Sequence, residues 1–130
     1  MSDGAAEEKI KKRPWAIFTI VREEGFYLPK WYDYYSKFLP NEDIHIVNHS
    51  PASSKTKDTC CDFLQNKCPI YIEGEEFFSS RWLRDTVERY QKLLLQKYEA
   101  VIFTDVDEII CVHPDSNLNG LGGFMTEFLK

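Results

Sequence analysis

Two acidic side chains, Asp105 and Asp107, stand two residues apart at the end of an apolar run, Ala100-Val-Ile-Phe-Thr104. Glu108 follows at once, and then the chain returns to apolar Ile109 and Ile110. Two carboxylates at this spacing repel each other unless a positive charge lies between them. A hard divalent cation takes oxygen ligands, and magnesium-type ions are held by one or two carboxylates together with substrate phosphates. The pattern therefore predicts a metal-bridged phosphate substrate, with Asp105 and Asp107 as the protein ligands. The plain alternative is a pair of solvated loop acids or a helix cap. A solvated loop does not normally return to isoleucine so soon.

Other polar residues stand where a site would need them. Arg22 and Glu24 follow the first apolar run, with Gly25 allowing a close backbone turn. They read either as the floor of a nucleotide pocket or as a surface ion pair of little energetic worth. Asn48 ends a second apolar run, and its amide can both donate to and accept from a base edge. It also suits a turn. Arg81 and Arg84 open a long helical pattern, and an arginine fork suits a diphosphate. A solvated helix face is the simpler reading of both. His113 reads as a loop histidine. Gly120, Gly122 and Gly123 suggest a flexible acceptor loop, without the lysine and spacing of a phosphate-binding P-loop. The aromatic stripe of Trp31, Tyr32 and Tyr35 reads as core rather than as a sugar platform.

The elements that must position these residues alternate. Residues 15–21 are β-branched and aromatic, and predict a strand that stops at a polar turn, Arg22-Glu-Glu-Gly25. Leu28, Trp31, Tyr32, Tyr35, Phe38 and Leu39 predict an amphipathic helix, with Pro29 at its first position and Pro40 ending it. Residues 44–48 predict a second strand and 49–56 a polar loop, with a short helix over 59–66. Residues 68–73 predict a third strand with Pro69 at its start. Ser79 or Ser80 caps a helix whose stripe is Leu83, Val87, Tyr90, Leu94 and Tyr98. The run at 100–104 then reads as a buried, central parallel strand. A last apolar helix starts at Phe124. This β-α-β-(α)-β-α-β order argues an α/β fold, a mostly parallel sheet flanked by helices. Ligands of such sheets bind beyond the carboxyl ends of the strands, which is where Asp105 and Asp107 fall.

Composition narrows the function classes. One hundred and thirty residues make one domain with a modest core. A net charge of −5 disfavours non-specific nucleic-acid binding. No apolar stretch approaches the roughly 20 residues of a membrane span. Residues 1–13 are small and charged and read as a disordered tail without a secretory signal. Cys60, Cys61, Cys68 and Cys111 contain no C-x-x-C pair, so a zinc site is disfavoured and reduced thiols in a cytoplasmic protein are expected. A bridge from Cys60 or Cys61 to Cys68 would require a lost targeting segment; peripheral membrane association is a further alternative.

Phe103-Thr-Asp-Val-Asp-Glu-Ile-Ile110 resembles the acidic metal motif of GT-A-fold glycosyltransferases, in the D-x-D-E form of the family 2-like group. That group also has an Arg-Asn-Glu-Gly turn after its first strand, then an aromatic-rich helix with a Glu-Trp pair. Here the turn is Arg22-Glu-Glu-Gly25 and the helix carries Lys30-Trp31. Glu23 and Lys30 depart from the pattern, as does Asn48, where the group commonly has an Asp that holds the base. The resemblance spans residues 15–114. It implies a Rossmann-like GT-A domain over residues 14–130, the first part of a larger domain. It also implies a nucleotide-diphosphate sugar donor, Mn2+ or Mg2+ as cofactor, and a glycan or other hydroxyl acceptor. Asp107 would ligate the metal directly, and Asp105 would do so through water or hold the ribose. Arg22, Glu24, Asn48, Arg84 and Asp105 would line the nucleotide-sugar site.

Two rivals remain. Haloacid-dehalogenase-type phosphatases also place Asp-x-Asp after a buried strand, but expect Thr or Val where Ile109 stands, and a later lysine. Residues 108–130 hold one lysine, Lys130. The other rival binds nucleotide without turnover. An inverting transferase needs a carboxylate base for the acceptor hydroxyl, and none of Glu108, Asp115 or Glu127 is marked out for it.

Overall fold

The computed structural model describes residues 11–51 and 59–130. Most of the expected tail and most of the polar loop after His49 lie outside those residues. The chain runs β1 (Arg13–Val21), α1 (Tyr27–Tyr35), β2 (Ile44–His49), β3 (Ile70–Glu73), α2 (Ser80–Leu94), β4 (Tyr98–Phe103) and α3 (Gly120–Phe128). Single 3-10 turns at Asn41–Asp43 and Asp62–Leu64 fill the connections. The second of these stands where a helix over 59–66 was expected.

Among the described residues the four strands are all parallel, in the order β3-β2-β1-β4. The α/β class and the mostly parallel sheet are therefore as the alternation of elements implies. The position of β4 is not. It lies at the edge of the sheet, and residues 100–103 are only half-buried, whereas β1 is central and nearly closed to solvent. An unbroken apolar run reports that both faces of a strand are covered, not that both of its edges are paired. In β4 both faces are covered: Ala100 and Ile102 join one core layer, Val101 and Phe103 the other.

The period-2 alternation of β1 builds those two layers. Ile17 and Val21 pack with Leu28, Trp31 and Tyr35 of α1, and with Leu121 and Met125 of α3. Ala16 and Phe18 pack with Tyr90 and Leu94 of α2. Helix α1 forms because Leu28, Trp31 and Tyr35 share one face at 3- and 4-residue spacing. Pro29 sits at its third position rather than its first, still within the turn whose N–H groups have no helical partner. Helix α2 starts at Ser79, whose side chain accepts from the Trp82 N–H at 3.0 Å. It ends at Leu94, not at Tyr98. The chain turns over Leu95 to Lys97, and Tyr98 opens β4 instead, its hydroxyl donating to Asp43 Oδ1 at 2.8 Å.

Two further expectations change. Arg13 belongs to β1 rather than to a tail, held by Asp43 through Nε at 2.7 Å and Nη2 at 2.9 Å. The glycine cluster is not a loop: Gly120–Phe128 is helical, anchored by buried Leu121 and Met125. Gly120 opens it at φ +66°, a conformation glycine adopts without penalty.

Candidate functional site at the carboxyl edge of the sheet

Parallel strands bring their carboxyl ends to one edge. Val21 is in register with Asn48, and Phe18 with Phe103, so Arg22, Asn48 and Asp105 all fall on that edge. The ladder runs one residue past β4, where the Thr104 N–H donates to the Phe18 carbonyl at 3.2 Å. The acidic turn begins immediately after. The Glu108 N–H donates to the Asp105 carbonyl at 3.0 Å, and the Asp105 N–H donates to Glu108 Oε1 at 3.1 Å. This reciprocal pair closes the turn that carries Asp107. Asp105 and Asp107 are both exposed. Partial desolvation, then the charges of Glu108 and Asp107, raise the Asp105 carboxyl above its ordinary value. Among the described residues no lysine or arginine forms an ion pair with these three carboxylates.

Helix α1 holds this turn from behind. The Trp31 indole N–H donates to the buried Thr104 hydroxyl at 2.8 Å. The Ile110 N–H donates to the Tyr35 hydroxyl at 2.9 Å. The Tyr34 hydroxyl donates to the Ile110 carbonyl at 2.7 Å. Burial, aided by Cys111, pushes the Tyr34 phenol up to about 12, so it stays a donor at neutral pH. The aromatic stripe is core, as its spacing implies, and its polar tips also fix both ends of the acidic loop. Sequence reasoning did not find this use. The available signal was the Tyr34-Tyr35 pair, which turns two hydroxyls to adjacent faces of one helix.

Comparison with protein-family models, with curated proteins and with solved structures finds no match to this chain.

The remaining predicted residues divide. Asn48 is buried, and its Oδ1 has no hydrogen-bond partner among the described residues. Thr19 Oγ1 and His49 Nδ1 are in the same condition. All three atoms sit in the carboxyl halves of β1 and β2, and such groups require water or a ligand. His49 was expected to start a loop. Instead it ends β2, 1% exposed, with Nε2 donating to the Glu75 carbonyl and its ring 4.5 Å from that of Trp82. Glu24 is already engaged: its Oε1 accepts from the N–H groups of Phe26 and Tyr27 at 3.3 and 3.1 Å, capping α1. Arg22 is exposed at the edge. Arg84 is exposed on α2 beside Asp85, 3.8 Å away, and Arg81 is exposed in the turn before it. His113 is exposed, and its Nδ1 accepts from the Asp115 N–H at 3.1 Å.

The donor set suits a hard cation: carboxylate oxygens, open to solvent, with no competing positive side chain among the described residues. No group of three or more His, Cys, Asp or Glu is gathered for a metal within those residues. Two carboxylates completed by phosphate oxygens would be the magnesium-type arrangement.

Proposed function

We propose that residues 14–130 form the donor-binding part of a GT-A-like, metal-dependent glycosyltransferase. Its donor is a nucleotide-diphosphate sugar and its acceptor a glycan or other hydroxyl compound. The observation that carries this reading is the convergence of Asp105 and Asp107 with Arg22 and Asn48 on one edge of an all-parallel sheet. Asp107 is the direct ligand for Mn2+ or Mg2+, with Asp105 acting through water or on the ribose. A cation held there supplies Lewis-acid stabilisation of the charge that builds on the leaving diphosphate. Asn48 and Arg22 bind the nucleoside side of the donor. Arg84 reaches the diphosphate by side-chain reorientation, since it is committed only to a weak surface pair.

One observation favours nucleotide binding without turnover. Glu108 is spent on the Asp105 N–H, and Glu127 pairs with Lys130 at 2.8 Å, so neither stands free as a base.

Calorimetric titration of uridine and guanosine diphosphates with Mn2+ and with chelator tests the proposal. At least one should bind about tenfold or more tightly with metal, roughly 1.4 kcal/mol. Asp107→Asn should remove that gain and leave the fold intact, because its side chain lies beyond the core. Equal affinity in both buffers would remove the metal bridge.

A further inference from the structure

The segment that leaves the acidic turn and helix α3 enclose a half-open cavity of about 320 Å3. Ile110 and Val112 line it from the segment, and Leu121 and Phe124 from the helix, with Leu118 between them. Its polar lining is Cys111, His113 and Ser116. Two of these three are already engaged. Ser116 Oγ accepts from the Leu118 N–H at 3.4 Å, and His113 Nδ1 accepts from the Asp115 N–H at 3.1 Å. Small-molecule sites are hollows of this size, mostly apolar, with a few polar groups.

The cavity is tied to the acidic turn. Ile110 follows Asp107 by three residues, so their Cα atoms are at most about 11 Å apart. The Tyr34 and Tyr35 hydroxyls hold Ile110 by its carbonyl and its N–H, so helix α1 fixes the wall of the cavity together with the turn.

We propose that this cavity receives the acceptor, and that the acceptor is a hydroxyl compound with an apolar body, an aryl or alkyl alcohol, rather than a glycan.

The inference rests on the reading of Asp105 and Asp107 as the metal site of the donor. A metal-bound phosphate and the anomeric carbon beyond it fit within the span from Asp107 to Ile110. In the transfer step the acceptor oxygen forms a bond to the anomeric carbon. The bond from that carbon to the diphosphate oxygen breaks, and its electron pair leaves with the diphosphate. The hydroxyl proton passes to solvent at the open side of the cavity. The lining selects the acceptor class. A glycan presents hydroxyls on every side, and each one buried here would lose water that the wall cannot replace. An apolar body gains by leaving water, and needs only its single hydroxyl to stay at the polar end.

The test uses phenethyl alcohol, titrated into the isotope-labelled full chain in chelator without nucleotide and read by amide NMR. The amide signals of Val112, Leu118 and Leu121 should shift and saturate together, while glucose at the same concentrations leaves them still. Leu118→Glu puts into the wall a charge that must be desolvated, and should weaken the alcohol about tenfold or more. Ser116→Phe fills the hollow and should do the same. Both variants lie outside the donor residues, so their metal-dependent affinity for nucleoside diphosphate should stay within twofold, which also reports an intact fold. Position is read with Mn2+ and nucleoside diphosphate present. The paramagnetic ion should broaden the CH2–O protons of the bound alcohol more than its ring protons. The absence of a saturable shift, an equal response to glucose, or undiminished binding by both variants would overturn the proposal. So would a bound alcohol that Mn2+ leaves sharp while diphosphate binding remains metal-dependent. Diphosphate affinity that ignores metal, with the alcohol shifts retained, would instead overturn the donor reading and the acceptor role with it.

Discussion

Asp105 shows how the site is held in a costly state. Its carboxyl is raised in the fold, so folding disfavours its charged form at neutral pH. A group of this sign opposes stability as the pH rises above its unfolded value. Removing the charge should therefore help the metal-free protein. Asp105→Asn should raise the melting temperature in chelator by about 1–2 °C, small because the group is exposed. The same variant should lose most of the stabilisation that Mn2+ with a nucleoside diphosphate gives the native chain. A melt that falls in chelator would show that the carboxylates do not repel one another as placed. Asn48 illustrates the other kind of cost, a buried acceptor without a partner among the described residues. Its type and its strand end were readable in the sequence. Its burial was not, since that depends on what lies over the end of β2.

At the scale of the element, α1 is a brace for the acidic loop. Tyr34 and Tyr35 each bond to Ile110, and Trp31 bonds to Thr104, so one helix grips the loop on both sides of Asp107. Tyr32 lies on the same helix but donates to Asn41 at 2.6 Å, away from the loop. The pair makes a controlled comparison. Tyr35→Phe leaves the Ile110 N–H without its acceptor and should cost about 1–2 kcal/mol. It should also weaken metal-dependent nucleotide binding several-fold, because the carboxylates are no longer held in place. Tyr32→Phe should cost about 1 kcal/mol and leave that affinity unchanged. Denaturant melts and calorimetry on both variants decide it. Equal effects on affinity would reduce the brace to ordinary core packing.

At the scale of the whole molecule, one polar chain ties the strands together at the opposite end of the sheet. Tyr98 donates to Asp43 Oδ1, so its oxygen accepts from His45 Nε2 at 3.0 Å. His45 Nδ1 then accepts from the Tyr71 hydroxyl at 2.9 Å. The neutral ring with its proton on Nε2 satisfies every member. Burial lowers the His45 pKa to about 4. The folded state therefore resists a proton that the unfolded chain takes up near 6.5. The associated stability is complete above about pH 6.5 and is lost as the pH falls toward 4, about 3 kcal/mol in all. Urea unfolding at pH 7, 5.5 and 4 should show that loss in the native chain. His45→Gln should be less stable at pH 7 by roughly 1–3 kcal/mol, with a flatter acid limb. Parallel acid limbs would mean that His45 is not the group that titrates.

The order of elements, the apolar faces of β1, α1 and α2, and the acid pair just past a strand were all legible in the chain. Each rests on local periodicity, and a strand of period 2 or a helix of period 3.6 writes its buried face directly into the sequence. Three things were not. Strand order was one: β4 is apolar on both faces yet stands at an edge, because edge pairing involves backbone groups that every residue carries alike. The end of α2 was another: Tyr98 continues the helical spacing from Leu94 but is claimed by Asp43, its hydrogen-bond partner from 55 positions earlier. The third was the bracing of the acidic loop. Trp31 and Thr104 are 73 positions apart, and only the packing of α1 on the sheet brings the indole N–H to that hydroxyl.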